Sequence, residues 1–363
     1  MARTRGRLAT LASAFFLAGL AGCNPSAEPK AEPEAAPGSS SAGPTRPEPP
    51  LLISLATFTT TREAYEKRII PQFQRWWRKT HGREVQFTQS YVASHVQATA
   101  IADGFEADVA ALSLERDLDL LVQKGLIRGE WRKAPHGGIV CRSVTVLAVR
   151  KGNPLGISDW PDLAAPGVRV LMPDPRTSGG GKWDVCAIWG AALRGRAGVP
   201  AGDREAAEAL FGRILANVAP FEKDARGSFK AFEGGEGDVA VTSESEATRG
   251  RMFGHEHEVV IPPCALRVDN PAAVVDVYAE KHGVQEVARA FLEYLWTPEA
   301  QRAFAFYGFR PVDETLAQDL ESQYPVPADL WSIDELGGWS KMTDDLLGPG
   351  GVLERVTSAD DAR

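Results

Sequence analysis

Short apolar runs and helical spacings alternate along the chain from residue 51 onward. Residues 51–58 begin with an apolar run, which predicts a buried strand. The next segment has the spacing of an amphipathic helix, with apolar side chains on one face at Tyr65, Ile69, Phe73 and Trp76. The alternation continues with a strand at 84–87, a helix at 94–103, a strand at 107–113 and a helix at 115–124. This order predicts an α/β fold with a mostly parallel sheet flanked by helices.

The second half of the chain follows the same alternation. A β-branched strand at 143–150 ends in the Lys-Gly-Asn-Pro turn of residues 151–154. Further strands are predicted at 168–172, 238–242 and 258–261, and further helices from about residue 182 and at 204–217, 244–253, 284–295 and 298–306. Turn-rich junctions near residues 138–141 and 260–264 predict two crossings between two lobes. Residues 51–138 and 264–357 would form lobe I, and residues 139–263 would form lobe II.

The first 22 residues have the order of a secretory signal. Three arginines precede an apolar core at 11–20, and Leu-Ala-Gly is followed by Cys23. This order resembles a bacterial lipobox, which implies that residues 1–22 are removed and that Cys23 carries the lipid. An ordinary secreted protein with an incidental cysteine is the alternative. Acyl chains gain about 0.8 kcal/mol per buried methylene, so a multiply acylated Cys23 would hold the protein on a membrane surface outside the cytoplasm.

Residues 23–50 contain almost no bulky apolar side chains and consist mainly of Pro, Ala, Ser, Glu and Gly. Such a segment cannot bury enough surface to order itself, so we expect a disordered tether that reaches roughly 30 Å or more. A tether of this kind lets a folded domain move above the membrane while it stays attached.

Length, composition and charge exclude several classes of protein. The 363 residues are 24% charged and 44% hydrophobic, too long for one ordinary core and too apolar for disorder throughout. No apolar run reaches the ~18 residues of a membrane span, which excludes a polytopic membrane protein. The formal net charge is −8, and −11 once the three arginines of the signal are removed. This charge argues against a nucleic acid as partner.

Three cysteines, Cys141, Cys186 and Cys264, remain in the predicted folded body. Their number is odd, and their spacing matches no Cys-x-x-Cys metal or redox motif. We expect all three to be small buried apolar residues, with a disulfide between Cys141 and Cys264 as the alternative.

A glycine-rich loop carries the clearest chemical signal. Residues 177–180, Thr-Ser-Gly-Gly, lie between an apolar strand and a helix. At that point unpaired N–H groups and the positive end of the helix dipole favour an anion, and the glycines let the backbone approach it. A nucleotide-binding P-loop does not fit, because Arg176 stands at its first glycine and Trp183 follows Lys182. A structural tight turn is the alternative for the loop taken alone.

The loop is one of a series of segments that resembles the bacterial sulfate-binding proteins, the soluble receptors of sulfate and thiosulfate ABC importers. The series keeps the family order from about residue 51 to residue 356. Its segments are residues 61–65 (TREAY), 104–109 (GFEADV), 149–154 (VRKGNP), 173–183, 224–227 (DARG), 237–239 (GDV), 273–276 (AVVD), 294–301 (YLWTPEAQ), 309–311 (FRP) and 333–335 (IDE). The resemblance implies a two-lobed periplasmic-binding-protein fold of type II, with the ligand in the cleft between the lobes.

The resemblance also implies that uncharged donors hold a dehydrated anion, chiefly backbone amides at helix starts. Because several aligned dipoles share the compensation, a negative protein can bind a dianion without a neutralising cation. No metal or other cofactor is implied. Carried over position by position, the backbone donors fall at Thr59, Ser94, Gly179, Gly180 and Ala225, the hydroxyl donor at Ser178 and the pocket tryptophan at Ser243.

Three departures from the family pattern lie among these positions. Thr59 and Thr60 replace an aspartate followed by proline, and residues 91–96 form a stiffer segment without the family's lysine. Ser243 replaces the pocket tryptophan; its hydroxyl can donate, but it is several ångströms shorter than an indole. We therefore expect a roomier or wetter cleft on that side, and poorer discrimination between sulfate and phosphate.

These observations favour a non-enzymatic, membrane-tethered receptor that captures sulfate, thiosulfate or a related tetrahedral oxyanion and delivers it to the permease subunits of an ABC importer. It would act as a monomer in the periplasm or cell envelope. The alternative is a surface-anchored sensor or scaffold of the same fold, with molybdate, phosphate or a larger anion as ligand and no transport role.

Other chemistry-bearing residues have simpler interpretations. Ser94 and His95 do not predict a hydrolase, because adjacent side chains point apart and no Gly-x-Ser-x-Gly motif is present. His255 and His257 lack a third metal ligand, so a solvated strand entrance is expected there. We expect Arg226 to anchor its loop, because a buried guanidinium needs a carboxylate partner.

Overall fold

The computed structural model describes residues 48–360, with side chains up to residue 358. The predicted signal peptide, Cys23 and most of the predicted tether lie outside the described residues. Within the described range, no helix combines the length and the apolar character needed to cross a membrane.

Nine strands lie within the described residues: β1 (Leu51–Phe58), β2 (Val85–Val92), β3 (Val109–Ala111), β4 (Ile139–Arg150), β5 (Val170–Leu171), β6 (Val239–Ser243), β7 (His257–Val260), β8 (Cys264–Val274) and β9 (Asp329–Trp331). Seven of them pair in the order β2-β1-β3-β8-β4-β6-β5. Strand β7 pairs with β4, and β9 pairs with β8.

The long strands β4 and β8 connect two groups of strands. Residues 272–274 of β8 pair with β3, and β1 lies parallel to both β2 and β3. Residues 145–150 of β4 pair with β6 and β7. Between these ends, β4 and β8 pair with each other in an antiparallel ribbon. The predicted α/β class is confirmed, but the sheet is mixed rather than mostly parallel, because the two connecting strands run against the β–α–β strands of each group.

The two connecting strands begin where the turn-rich junctions predicted crossings of the chain. Strand β4 starts at Ile139 and β8 starts at Cys264. In the predicted division, lobe I would hold β1, β2, β3 and β8, and lobe II would hold β4, β5, β6 and β7. The division into lobes stays a prediction.

Fourteen α-helices occur in the same range: α1 (Arg62–Ala64), α2 (Ile70–His81), α3 (Ser94–Ala102), α4 (Glu115–Gln123), α5 (Gly179–Leu193), α6 (Arg204–Ala216), α7 (Ala225–Glu233), α8 (Glu244–Met252), α9 (Asp276–Lys281), α10 (Gln285–Tyr294), α11 (Pro298–Phe306), α12 (Glu314–Asp319), α13 (Gly338–Met342) and α14 (Val352–Asp360). A π-helical turn, Tyr65–Ile69, joins α1 to α2. The predicted helix at 298–306 coincides with α11, and most other predicted elements agree within a few residues.

Strand β8 and helix α7 are the main elements that the sequence pattern did not predict. Strand β8 contains Asn270 and Pro271, a pair that is typical of turns. Here the pair lies inside the ribbon, where Pro271 is paired with Ile139 beside an irregularity in the register. Helix α7 has nine residues and includes Gly227, so its apolar spacing is too brief to stand out.

The apolar core divides into clusters on the two groups of strands. One cluster packs β1 against α2, α10 and α11, with Phe73, Phe291 and Phe304 at its centre. Another surrounds α5 and α6, with Trp189 and Phe211 at its centre.

The C-terminal segment packs into the α5 cluster. Gly190 leaves the space for one of its rings, because any Cβ there would overlap Trp331. The predicted division groups residues 264–357 with lobe I, and within this range residues 331–353 pack against the cluster around α5 and α6. The buried side chains involved are Trp331, Ile333, Trp339, Met342, Leu346, Val352 and Leu353.

The buried face of α2 differs from the prediction at one residue. Trp76 is 38% exposed, whereas Trp77 is 3% exposed. Trp77 follows Phe73 by four residues and therefore shares its face, while Trp76 lies at the edge of that face. The ring of Trp76 covers Phe73 and Tyr294 at centroid distances of 5.6 and 5.7 Å.

Cys141, Cys186 and Cys264 are all buried and unbonded, as expected, and the alternative disulfide is not formed. Burial raises the pKa of each thiol, that of Cys264 to about 11. The thiols are therefore protonated at neutral pH and behave as small apolar side chains.

Candidate functional site

All seven positions carried over from the family line a single cavity: Thr59, Ser94, Ser178, Gly179, Gly180, Ala225 and Ser243. They come from both groups of strands. The cavity volume is about 30 Å³. Because one water needs roughly 10–15 Å³ of such space, the cavity suits a ligand of a few non-hydrogen atoms.

The wall of the cavity beside Ser243 includes large side chains. Large apolar side chains, Phe58, Trp183 and Phe309, complete the wall of the cavity. Trp183 is held in place because its indole N–H donates to the carbonyl of Ser113 at 2.9 Å. The expectation of a roomier or wetter cleft beside Ser243 stays a prediction.

Four helices begin at the cavity wall. Helix α3 starts at Ser94, α5 at Gly179 and α7 at Ala225, and Ser243 is the N-cap of α8. Each helix has at least nine residues, so each start carries a partial positive charge of roughly half an elementary charge. A 3₁₀ turn, Thr59–Thr61, begins at the same wall directly after β1.

The first amides of α5 are available to a ligand. Ser178 caps this helix, and its Oγ accepts from the backbone N–H of Gly181 at 3.3 Å. Among the described residues, the N–H groups of Gly179 and Gly180 have no acceptor. Two adjacent donors therefore face the cavity from the positive end of α5.

The other helix starts repeat this arrangement. Asp224 caps α7 by accepting from the N–H of Gly227 at 2.9 Å, which leaves the N–H of Ala225 unbonded. The amides of Thr59 and Ser94 also have no acceptor in the described part of the chain. The five backbone donors expected from the family are thus all free to bind.

Glycine is required where α5 meets α3 and α7. A Cβ on Gly179 would lie 2.8 Å from the Cβ of Ser113 and 3.1 Å from that of Ser94. A Cβ on Gly180 would lie 2.9 Å from the Cβ of Ala225. Distances this short force atoms apart, so side chains at these two positions would separate the helix starts.

Ser94 has no hydroxyl to spare for a ligand. Its Oγ donates to Asp117 Oδ2 at 2.6 Å and accepts from the N–H of Ser113 at 3.0 Å. His95 Nδ1 lies 3.1 Å from the other oxygen of Asp117. Ser94 and His95 therefore share a carboxylate instead of bonding to each other, and Ser94 can contribute only its backbone N–H.

The hydroxyls of Ser178 and Ser243 have different roles. Ser178 Oγ is an acceptor within α5, so its own hydrogen can be donated into the cavity. Ser243 Oγ lies 2.9 Å from Ser245 Oγ and accepts from the N–H of Glu246 at 3.4 Å. Ser243 is therefore chiefly a cap of α8.

No Lys, Arg or His side chain lines the cavity in the described residues. Arg226, next to Ala225, is bonded elsewhere: its guanidinium donates to both oxygens of Glu63 at 2.7 and 2.9 Å and lies 2.5 Å from Glu246. Burial would raise the pKa of Glu63, but Arg226 outweighs it and lowers the pKa. As expected, Arg226 anchors its segment, and it does so by binding α1 through Glu63.

One ionisable side chain in the cavity wall was missed by the sequence analysis. Asp184 lines the cavity, is 3% exposed and has a pKa raised well above 3.8 by burial. The mapped positions contain no carboxylate, and Asp184 was not among them. Its spacing could have revealed it, because Asp184 follows Gly180 by four residues and so lies on the same face of α5.

The His255 and His257 segment is not a solvated strand entrance throughout. His257 is 7% exposed, and its Nε2 lies 2.9 Å from the carbonyl of Ala247. Burial lowers the pKa of His257, which favours its neutral form. Within the described residues, no cluster of three His, Cys, Asp or Glu side chains is placed to hold a metal ion.

Comparisons of the sequence agree with this geometry. The family model for bacterial extracellular solute-binding proteins matches residues 53–310. A sulfate-binding protein of Synechococcus elongatus is 39% identical over 323 residues, which are 88% of this chain and 90% of that protein. A thiosulfate-binding protein of Pseudomonas aeruginosa is 32% identical over 308 residues, 83% of this chain and 91% of that protein.

Solved structures show the same relationship. The sulfate-binding protein SubI from Mycobacterium tuberculosis is 34% identical with a TM-score of 0.73, covering 81% of this chain and 98% of SubI. A periplasmic thiamin binding protein shares the fold, with a TM-score of 0.61 at 15% identity over 82% of this chain and 96% of that chain. The predicted two-lobed fold of type II is confirmed. The chain belongs to the bacterial extracellular solute-binding proteins, in the family of the sulfate- and thiosulfate-binding proteins.

Proposed function

We propose that this chain binds sulfate or thiosulfate and delivers it to an ABC importer. The observation that carries the proposal is the convergence of four helix starts, with unbonded amides, on one small cavity that has no cationic side chain in its described wall. Such a site suits a small anion that has lost its water shell. Relatives named for binding sulfate and thiosulfate support the choice of anion.

The charge of the helix starts matches a dianion. Four starts at roughly half a charge each give about two positive charges, spread over several N–H groups. Each hydrogen bond from an amide to a charged oxygen contributes about 1.5–3 kcal/mol. Five backbone donors and the Ser178 hydroxyl can therefore offset the dehydration of a tetrahedral dianion without an ion pair.

Calorimetric titration of the mature chain tests the proposal, with Cys23→Ser to keep the protein unlipidated. The ligands are sulfate, thiosulfate, molybdate, phosphate and chromate. We expect one site per chain that prefers sulfate or thiosulfate. A folded protein that binds neither anion would contradict the proposal, and one that prefers molybdate or phosphate would favour the sensor or scaffold alternative.

We further propose that the receptor is a monomer anchored in the cell envelope through lipid on Cys23, with residues 23–50 as tether, and that it works with permease subunits. The N-terminal pattern supports the anchor, and membership in an extracellular solute-binding family supports a periplasmic location. Cys23→Ser should move the protein from the membrane fraction to the soluble fraction without changing its affinity for sulfate.

The proposal includes no catalytic step. The relatives are named for binding rather than for catalysis. Their similarity extends over more than four-fifths of this chain, which does not favour a sensor or scaffold with an altered ligand.

A further inference from the structure

A buried carboxyl group in the cavity is not explained by the proposed function. Asp184, on the second turn of α5, is 3% exposed and lines the cavity. Its two oxygens have no hydrogen-bond or ion-pair partner among the residues that the structure describes. A carboxylate in this position would repel a dianion, because like charges in a buried site disfavour each other and the described cavity wall contains no cationic side chain.

Two buried hydroxyls in the same wall also lack partners. They are Oγ1 of Thr145 on β4 and Oγ1 of Thr242 on β6, with their residues 0% and 5% exposed. Buried polar side chains are nearly always hydrogen bonded. Three unpartnered polar groups from three elements therefore surround one cavity, and of these Asp184 is the one that can ionise.

In the part of the chain that the structure describes, no cationic side chain is paired with Asp184. Burial alone raises its pKa, and the thiol of Cys186, one further turn along α5, is protonated. Six charged groups on the surrounding elements are bonded to other partners. They are Lys182 with the carbonyl of Arg176, Arg116 with Thr343, Asp117 with Ser94 and His95, Arg226 with Glu63 and Glu246, Glu244 with Arg310, and Arg142 with Asp269.

We propose that Asp184 makes oxyanion binding depend on a proton: its neutral carboxyl donates an O–H to the bound dianion, and its ionised form excludes the dianion. The inference rests on the proposed function and deepens it. The neutral acid adds one donor to the ring of amides, whereas a carboxylate adds a negative charge that nothing in the described wall neutralises. The ligand class is thus a fully deprotonated tetrahedral dianion, bound together with one proton on Asp184.

The test compares sulfate affinity in the wild type and in Asp184→Asn between pH 5.5 and 9. In the wild type, affinity should be constant below the pKa of Asp184 and should fall by up to about tenfold per pH unit above it, because each unit removes the required proton from more of the protein. In Asp184→Asn, affinity should not change with pH, because the amide has the same shape, still donates an N–H and cannot ionise.

Proton uptake gives a second readout. Titrations at a pH where the wild-type affinity is already falling, in two buffers of different ionisation enthalpy, should show proton uptake approaching one per sulfate by the wild type and none by Asp184→Asn. Asp174→Asn is the matched control. Asp174 also lies near the start of α5, but it is paired with Arg176 at 2.8 Å and does not line the cavity. This variant should keep the wild-type pH profile.

Parallel pH profiles in the wild type and Asp184→Asn would overturn the inference. Tighter binding of phosphate than of sulfate by the wild type alone at high pH would also overturn it, because an ionised Asp184 would then be accepting the proton of hydrogen phosphate. A folded wild type that binds no sulfate at any pH would instead contradict the proposed function, and the inference would fall with it.

Discussion

At the scale of single residues, Gly180 combines two requirements of the site. Its N–H is an unbonded donor at the start of α5, and its missing Cβ lets that start approach α7. A side chain at this position would push Ala225 away and shield the amide. Glycine at position 180 thus allows both the close packing of α5 against α7 and the access of a ligand to the backbone N–H.

We expect Gly180→Val to weaken sulfate binding by more than tenfold in calorimetric titration, which corresponds to at least about 1.4 kcal/mol. Gly129→Val is the control, because a Cβ at Gly129 meets no atom within 4 Å and this residue does not line the cavity. Circular dichroism should show that both variants are folded. Wild-type affinity in folded Gly180→Val would place the anion site elsewhere.

The sequence could predict the donors of this site more readily than its acceptors. Backbone donors at Gly179 and Gly180 follow from a local motif, a cap and glycines before a helix. The Ser94 hydroxyl already donates a hydrogen bond to Asp117, which is 23 residues away along the chain. The two side chains meet only in the folded protein. The unpartnered state of Asp184 likewise depends on which side chains surround it, and no local pattern encodes that.

At the scale of elements, the helix starts must be held in place to act as donors. Arg226 on α7 and Glu63 on α1 form a two-point ion pair at 2.7 and 2.9 Å, and both side chains are at most 15% exposed. Thr59 and Ala225, the donors on either side, each lie within a few residues of this pair. The ion pair therefore helps to fix the distance between two donors of the cavity wall, Thr59 and Ala225.

Glu63→Gln should lower the free energy of unfolding by about 2–3 kcal/mol, because it leaves the buried Arg226 with only Glu246 as its charged partner. Sulfate affinity should fall as well, since the amide of Ala225 is no longer fixed. The matched control is Glu66→Gln, which removes an exposed ion pair to Arg62 and should change stability by less than about 0.5 kcal/mol. Urea unfolding measures the free energy of unfolding of both variants. Equal losses of stability in Glu63→Gln and Glu66→Gln would contradict the role of Glu63.

Helices and strands with regular apolar spacing were predicted correctly from the sequence. A strand that connects the two groups of strands was not. Helix α11 was predicted with its observed bounds, because a capping Thr297 and a proline mark its start. Strand β8 was missed because its Asn-Pro pair is typical of a turn, and only its long-range pairing with β4 makes it a strand. Pairing across 130 residues is not encoded in local spacing.

At the scale of the whole molecule, the cavity lies where the two groups of strands meet. Strands β4 and β8 are the paired connection between the groups, and Ser143, Thr145, Val268 and Asn270 on these strands belong to the cavity wall. The predicted lobes would therefore share one hinge and one ligand site. In such an arrangement a ligand that contacts both walls favours the closed form by its differential affinity alone.

The C-terminal segment connects this site to the core, because Trp339 packs against Trp183 with ring centroids 4.6 Å apart, and Trp183 is part of the cavity wall. Ending the chain after residue 328 would remove several large buried side chains, each of which contributes about 1.5–3 kcal/mol. Their sum is on the order of 10 kcal/mol, similar to the whole stability of a typical domain.

We therefore expect a chain that ends after residue 328 to lose both cooperative thermal unfolding and sulfate binding, because the cluster around Trp189 and Phe211 would lose its cover. A chain that ends after residue 358 should keep both properties, since it retains every buried side chain of the segment from Trp331 to Leu353. Circular dichroism melting and calorimetric titration measure the two properties. A cooperative wild-type melt in the shorter chain would show that the α5 cluster is stable alone and that its C-terminal cover is dispensable.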